Sequence, residues 1–282
     1  MFDFTDNELL ELLKEDIPFL DLTTYLQDIN NKKAKLEIYT REDIVVSCSE
    51  ESARIAKLMN CEVDFLVPSK QKLKKGELIL SFIGDYNLIH KIWRTTQLIL
   101  EYSCKIATYT QNMKEEILKV NNHCELLTTR KTYPFAKKFC IKSILVGGAF
   151  PHRLNLSETV LLFPHHRKVY ATNEEFYYQI KEIKQKALEK KIIIESSDFN
   201  DTINLMKYGA DVLQLDKMDV KIIDEIVRYK NNNFPWIKLL VSGNINLSNV
   251  KDFASTQIDG VVSSSMYLCG MSDLGTKLTI LE

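Results

Sequence analysis

Arg130-Lys131 and His152-Arg153 are two cationic pairs. Each follows a short apolar run, Leu126-Leu127 before the first and Ile144-Leu145-Val146 leading towards the second. An apolar run that ends in cations and hydroxyls reads as a buried strand opening on a polar rim. The guanidinium fork matches carboxylate and phosphate oxygens, so two such rims side by side suit an anionic small molecule. Further along, 192–194 runs into Glu195, 212–215 into Asp216, 239–241 into Ser242-Gly243-Asn244, and 261–262 into Ser263-Ser264-Ser265. Taken singly, each is an ordinary strand running out into solvent. Together they put two carboxylates, two phosphate-compatible loops and two cationic pairs at strand ends.

Arg130, Lys131, His152 and Arg153 suit anionic oxygens. Glu195 and Asp216 suit sugar hydroxyls and Mg²⁺, which prefers a few carboxylates plus water and substrate phosphate. The loops at Ser242 and Ser263 offer hydroxyls and backbone N–H groups to a phosphate. A sugar phosphate carrying pyrophosphate, beside an acidic ring, would engage all of them. Paired carboxylates also serve glycosidases, but the surrounding cations disfavour a neutral sugar.

The elements that must position these groups can be read in outline. Thr5-Asp6-Asn7-Glu8 has the capping-box pattern ahead of an apolar helix face. Residues 36–84 alternate as a small α/β unit, and a long helix follows with Ile89, Ile92, Trp93, Thr96 and Leu100 on one side. After Thr108, strands are expected at 125–128, 143–146, 159–163, 192–195, 212–216, 238–242 and 260–263. Helices are expected at 174–189, 201–208, 220–229 and 248–253. Strands alternating with helices imply a parallel sheet, and so many units favour a β/α barrel, whose active site lies at the strand ends.

Composition narrows the function classes. With 282 residues, of which 45% are hydrophobic, the chain can fill two cores. A net charge of −1 argues against a nucleic-acid or membrane-surface binder. Six cysteines without a Cys-x-x-Cys pair point to a reducing cytoplasm. Asp3, Asp6 and Glu8 are unlike a signal peptide, and the apolar runs are strand-sized, so no membrane span is expected.

The letters carry a more specific signal. Thr129-Arg130-Lys131-Thr132, then Gly147-Gly148 and His152-Arg153-Leu154-Asn155-Leu156-Ser157, resemble the quinolinate phosphoribosyltransferase (nicotinate-nucleotide pyrophosphorylase, carboxylating) family, and within it the ModD branch encoded beside molybdate transporters. The string from Leu13 through Glu15-Asp16-Ile17 to Asp21 and Thr23-Thr24 is a recurring opening there, although Leu20 stands where a Gly is usual. Arg94-Thr95, followed in register by Ile106-Ala107-Thr108, falls where that family sends an arginine into the neighbouring subunit's site; Trp93 and Lys105 depart from its usual Glu and Gly. The resemblance implies an N-terminal α/β sandwich domain over 1–108, joined again by 267–282. It also implies an incomplete, seven-stranded β/α barrel over 109–266.

For the site it implies a homodimer sharing Arg94 and use of phosphoribosyl pyrophosphate with Mg²⁺. Lys131, Glu195 and Asp216 would be catalytic, with Glu195 and Asp216 as metal ligands. Arg94, Arg130, His152, Arg153 and Phe163 would meet the acceptor, and Ser242, Gly243, Asn244, Ser263, Ser264 and Ser265 the phosphate. Three departures matter: Phe163 replaces a lysine of the quinolinate enzymes, Asn244 a glycine, and the Ser263 loop a Ser-Val-Gly-Ala loop. A ModD-like pyrophosphorylase is therefore expected. The alternatives are a quinolinate enzyme with a divergent pocket and a non-catalytic binder of anions. Phe163 disfavours the first alternative, and joint retention of Lys131, Glu195 and Asp216 the second.

Overall fold

The computed structural model describes residues 4–282. The chain divides into two compact units. One takes the residues up to Gln111 with Tyr133–Gly147 and Met266–Glu282, and the other takes Asn112–Thr132 with Gly148–Ser265.

The first unit opens with α1 (Asp6–Asp16) and α2 (Leu22–Gln27). The capping box expected at α1 is present: Glu8 N donates to the Thr5 hydroxyl and Thr5 N to the Glu8 carboxylate. Next come β1 (Lys33–Thr40), β2 (Ile44–Val45), α3 (Ser49–Leu58), β3 (Glu62–Leu66), β4 (Lys72–Leu73), β5 (Leu78–Asp85) and the long α4 (Tyr86–Leu118). Alternation along β1 buries Ala34, Leu36, Ile38 and Thr40, as a strand with one face on a core must. Leu36, Ile38, Phe82 and Leu80 join Ile55 of α3 and Ile89 and Ile92 of α4 in one core.

The second unit contains β6 (Glu125–Thr128). The chain then makes an excursion, α5 (Lys137–Val146), before β7 (Phe150–Pro151), β8 (Val160–Leu162), α6 (Pro164–Arg167), α7 (Asn173–Lys186), β9 (Ile192–Ser196), α8 (Phe199–Lys207), β10 (Val212–Asp216), α9 (Val220–Asn233), β11 (Lys238–Ser242), α10 (Val250–Ser255) and β12 (Gly260–Ser263). The seven strands form one sheet in the order β7-β6-β12-β11-β10-β9-β8, and every pairing is parallel. The order is linear, so β7 and β8 are edges and the barrel is incomplete. Leu126, Ile194, Leu213, Leu215, Val241 and Val261 are buried in it. The apolar face of α8 (Ile203, Leu205, Met206) packs on β9 and β10 and against α9 (Ile223, Ile226, Val227), and α10 packs on β12. The last strand, β13 (Leu274–Leu281), returns to the first unit and pairs antiparallel with β1, giving a four-stranded sheet β13-β1-β5-β3. Among the described residues no helix is long and apolar enough to cross a membrane.

One expected strand is a helix. The run 143–146 closes α5, and the strand that precedes His152 is the two-residue β7. The consecutive residues Cys140, Ile141, Lys142, Ser143 and Ile144 are all buried, and a short apolar run does not separate the two possibilities by periodicity. Tyr133–Gly147 belongs to the first unit. Gly147 is there for close approach, since a Cβ would meet the Ala107 carbonyl oxygen and the Thr110 Cβ, each at 2.6 Å.

Lys142 of α5 is buried. It donates to Glu51 at 2.6 Å and Glu50 at 2.9 Å, and Glu51 is itself buried. Removing one partner of such a pair strands the other charge away from water. Lys142→Ala should therefore cost about 3–5 kcal/mol, read as a lower urea midpoint with an unchanged slope. A cost below about 1 kcal/mol would mean that the pair is solvated like a surface bridge.

Candidate active site

Parallel pairing brings the strand ends of the second unit to one rim. Thr128 pairs with Ser263 on one side and Pro151 on the other, and Asp216 pairs with Ser242. Glu195 lies level with Gln214, two residues before Asp216 on the neighbouring strand. Leu162 is the last residue of β8 paired with β9, opposite Ile194, so Phe163 leaves the sheet where Glu195 comes next along β9.

The carboxylate side is tied to its own strands. The Ser242 hydroxyl donates to Asp216 Oδ1 at 2.9 Å, and Lys217 N donates to the Ser242 carbonyl at 2.9 Å. Gln214 Nε2 donates to Glu195 Oε2 at 2.9 Å. Gly243 has φ +91°, and a Cβ there would meet Lys217 Cγ at 2.4 Å and Asp216 Oδ1 at 2.9 Å, so only glycine lets this turn close over Asp216. Asn244 follows in the left-handed region at φ 56°, which asparagine tolerates better than most residues. The Ser263 hydroxyl donates to the Ile245 carbonyl at 2.6 Å and lies 2.9 Å from the Ser265 hydroxyl, whose own backbone N–H donates back to Ser263 at 3.1 Å. Ser264 between them is half-buried.

On the cationic side, Thr129 N donates to the Ser263 carbonyl at 3.0 Å and Lys131 N to the Thr129 hydroxyl at 3.2 Å. This folds the 129–132 turn against β12 and leaves the Arg130 and Lys131 side chains exposed. His152 N donates to the Thr128 carbonyl at 2.9 Å. Arg153 is buried, and its Nη1 donates to the Thr159 carbonyl at 3.4 Å. Burial, and then the charge of Arg130, lower the Arg153 pKa; burial, and then Arg153, lower that of His152. Burial leads both shifts and holds the His152 imidazole towards its neutral form, while the neighbouring cations contribute less. The buried His152 Nε2 has no hydrogen-bond partner among the described residues.

Phe163 caps α6. Its backbone N–H donates to His166 Nδ1 at 2.9 Å, and the two rings stack with centroids 5.8 Å apart. Arg167, one turn on, is committed to Asp201 and is not free to stand in for a lysine at 163, whereas Lys168 is exposed. Arg94 belongs to the first unit, exposed on α4, with its guanidinium bonded to Gln97 and lying over the Trp93 ring. Sequence reasoning passed over Gln214, Lys217 and Asp201. Gln214 did leave a signal, as a polar residue inside the apolar run of β10. Lys217 and Asp201 left none, because only the turn and the packing give them partners.

Two carboxylates on adjacent strands do not make a metal cage, and among the described residues no cluster of three or more His, Cys, Asp or Glu side chains is placed to hold a metal. They fit Mg²⁺ of the kind that keeps most of its shell for phosphate and water.

Comparison with known proteins supplies the lineage. The model for the quinolinate phosphoribosyl transferase C-terminal domain matches residues 106–274, and that for the N-terminal domain matches residues 21–104. The chain is 28% identical over 277 residues to "Putative pyrophosphorylase ModD" of Pasteurella multocida, covering 97% of each. It is 28% identical over 300 residues to "Probable nicotinate-nucleotide pyrophosphorylase [carboxylating]" of Methanocaldococcus jannaschii, covering 99% of this chain and 98% of that one. Its fold is that of NadC from Streptococcus pyogenes, with a TM-score of 0.88 over all of both chains at 23% identity. The chain belongs to the quinolinate phosphoribosyl transferase family.

Burial, and then the charge of Asp216, raise the Glu195 carboxyl above the ordinary glutamate value, against the Gln214 hydrogen bond and the charges of Lys217 and Lys131. A carboxyl whose pKa rises on folding holds its proton more tightly in the native state. Its ionised form therefore costs stability above the folded pKa, and the cost vanishes as pH falls below the unfolded value. Glu195→Gln should raise the melting temperature of the free protein at neutral pH, by on the order of 2 °C once solvent screening of this half-exposed site is allowed for. The gain should fade towards about pH 4. A lower melting temperature at neutral pH would show Glu195 to be a stabilising group instead.

Proposed function

We propose that this family member is a pyrophosphorylase of the ModD kind, transferring the phosphoribosyl group of phosphoribosyl pyrophosphate to an acidic small molecule. The observation that carries the reading is the rim of the parallel sheet, where Glu195, Asp216 and Ser242 stand on three consecutive strands and Arg130, Lys131, His152 and Arg153 follow two others. Asp216 and Glu195 would hold the ribose hydroxyls. The Ser242-Gly243-Asn244 and Ser263-Ser264-Ser265 turns would hold the 5′-phosphate through hydroxyls and N–H groups. Mg²⁺, bound with the pyrophosphate, would neutralise leaving-group charge.

In the transfer, a ring nitrogen of the acceptor forms a bond to the anomeric carbon. The bond from that carbon to the pyrophosphate oxygen breaks, and pyrophosphate leaves with the electron pair. Positive charge grows on the ribose meanwhile, and the two carboxylates stabilise it. Lys131 serves the leaving pyrophosphate, and Arg130, His152 and Arg153 serve the acceptor's acid group. No protein nucleophile is needed. The link to molybdate transport comes with the ModD resemblance and is part of the same proposal.

Phe163 sets the acceptor class. An aromatic in place of a lysine removes one charge-assisted hydrogen bond, about 1.5–3 kcal/mol, and adds an apolar wall. Arg167, held by Asp201, does not replace it. A flat ring with one acid group fits better than quinolinate with two. The second reading, a quinolinate enzyme of NAD synthesis, gains only if Lys168 supplies the missing charge.

Phosphoribosyl pyrophosphate with Mg²⁺ should raise the melting temperature, and pyrophosphate release should be faster with a monocarboxylate acceptor than with quinolinate. Phe163→Lys should improve quinolinate turnover roughly tenfold or more. Ordinary quinolinate kinetics in the wild type would establish the second reading. No stabilisation at saturating ligand would point to an anion binder.

A homodimer belongs to the proposal because Arg94 would complete the partner's site. In its support, Leu22, Tyr25 and Leu26 of α2 are large apolar side chains left 62–72% exposed within one helix, the kind of face that association covers. Mixing Arg94→Ala subunits with Lys131→Ala subunits should restore activity absent from either alone, since one of the two sites in a mixed dimer is intact. A monomer by light scattering would contradict it.

A further inference from the structure

Arg167 and Asp201 form an ion pair that the transfer chemistry does not use. The contact is bidentate, with Nη1 donating to Oδ2 at 2.8 Å and Nη2 to Oδ1 at 2.7 Å, and the side chains are only 12% and 13% exposed. Asp201 also accepts from the Tyr177 hydroxyl at 2.7 Å and from the Ser196 hydroxyl at 2.7 Å. Arg167 further donates to Asn173 at 3.1 Å and lies over the Phe176 ring, 4.7 Å from its centroid. One pair thereby ties α6, α7, α8 and the end of β9 together.

Its place in the sheet gives it a task. β8 is an edge strand with three register pairs to β9, so the sheet alone does little to fix Phe163 and α6. On β9, Ser196 is the residue after Glu195 and its side chain ends on Asp201. Among the described residues the Glu195 side chain has one hydrogen-bond partner, Gln214, to hold it beside the like charge of Asp216. The pair also walls a cavity of about 570 Å³ that Glu195, Ser196 and Ser197 share with Lys168 and the start of α7. A buried pair adds little stability over apolar residues of the same volume, while four donors converging on one carboxylate define a geometry.

We propose that Arg167 and Asp201 are positioning residues for Glu195, acting through Ser196, and that they hold the Phe163–His166 turn at the same edge. The proposal rests on the reading of Glu195 as a phosphoribosyl pyrophosphate contact. The test is a double-mutant cycle on the affinity for phosphoribosyl pyrophosphate with Mg²⁺, measured by calorimetry on the full-length chain. Asp201→Asn risks unfolding, so Ser196→Ala, which removes only the hydroxyl link, and Arg167→Lys, which keeps the charge and loses the fork, are the working variants. Each should weaken binding at least about threefold in the wild-type background and by clearly less when Glu195→Gln is already present, because coupled residues are not additive. Equal loss in both backgrounds, or no loss in folded Ser196→Ala and Arg167→Lys, overturns the positioning role alone. Absence of binding by the wild type overturns the phosphoribosyl reading together with it.

Discussion

Parallel strand pairing is the interaction on which the second unit depends. A parallel sheet aligns the carboxyl ends of its strands, so residues far apart in the chain come to one rim by register alone. Thr128, Pro151, Ser263, Ser242 and Asp216 are brought together in this way. The pairing is also unfinished, because β7 and β8 have neighbours on one side only. The open edges explain where the side-chain work is concentrated. At β8 the Arg167–Asp201 pair fastens the following helix, and at β7 the backbone bond from His152 to Thr128 extends a strand of two residues.

Burial dominates the electrostatics of the rim. Glu195 is raised by burial and by Asp216, and Arg153 and His152 are lowered by burial and by their cationic neighbours. Glu195 and Asp216 lie at the ends of β9 and β10 with the charges of Lys217 and Lys131 acting on Glu195, and Arg130, Lys131 and Arg153 follow β6 and β7.

The excursion through α5 makes a separate point. Its buried Lys142 and its closing Gly147 are both spent on the first unit, one pairing with Glu50 and Glu51 and the other admitting α4 at close range. The Gly147-Gly148 dipeptide lies between the two cationic pairs in sequence, yet its first glycine answers to helix packing and not to a ligand.

The amino-acid sequence by itself determined the strand-and-helix alternation after Thr108, the capped first helix, and the residue types that end each strand. These are local properties, set by periodicity, capping and polarity, and they survive whatever packs around them. It also carried the family, through Arg130-Lys131 and His152-Arg153. Tertiary structure decided what local pattern leaves open. It made 143–146 a helix, because an apolar run of that length suits either element and the choice falls to the surface it meets. It committed Arg167 to Asp201, a partner 34 residues away. It set Gln214 against Glu195 and closed the Gly243 turn over Asp216, since hydrogen-bond partners across a parallel sheet depend on register, and register exists only once the strands have paired.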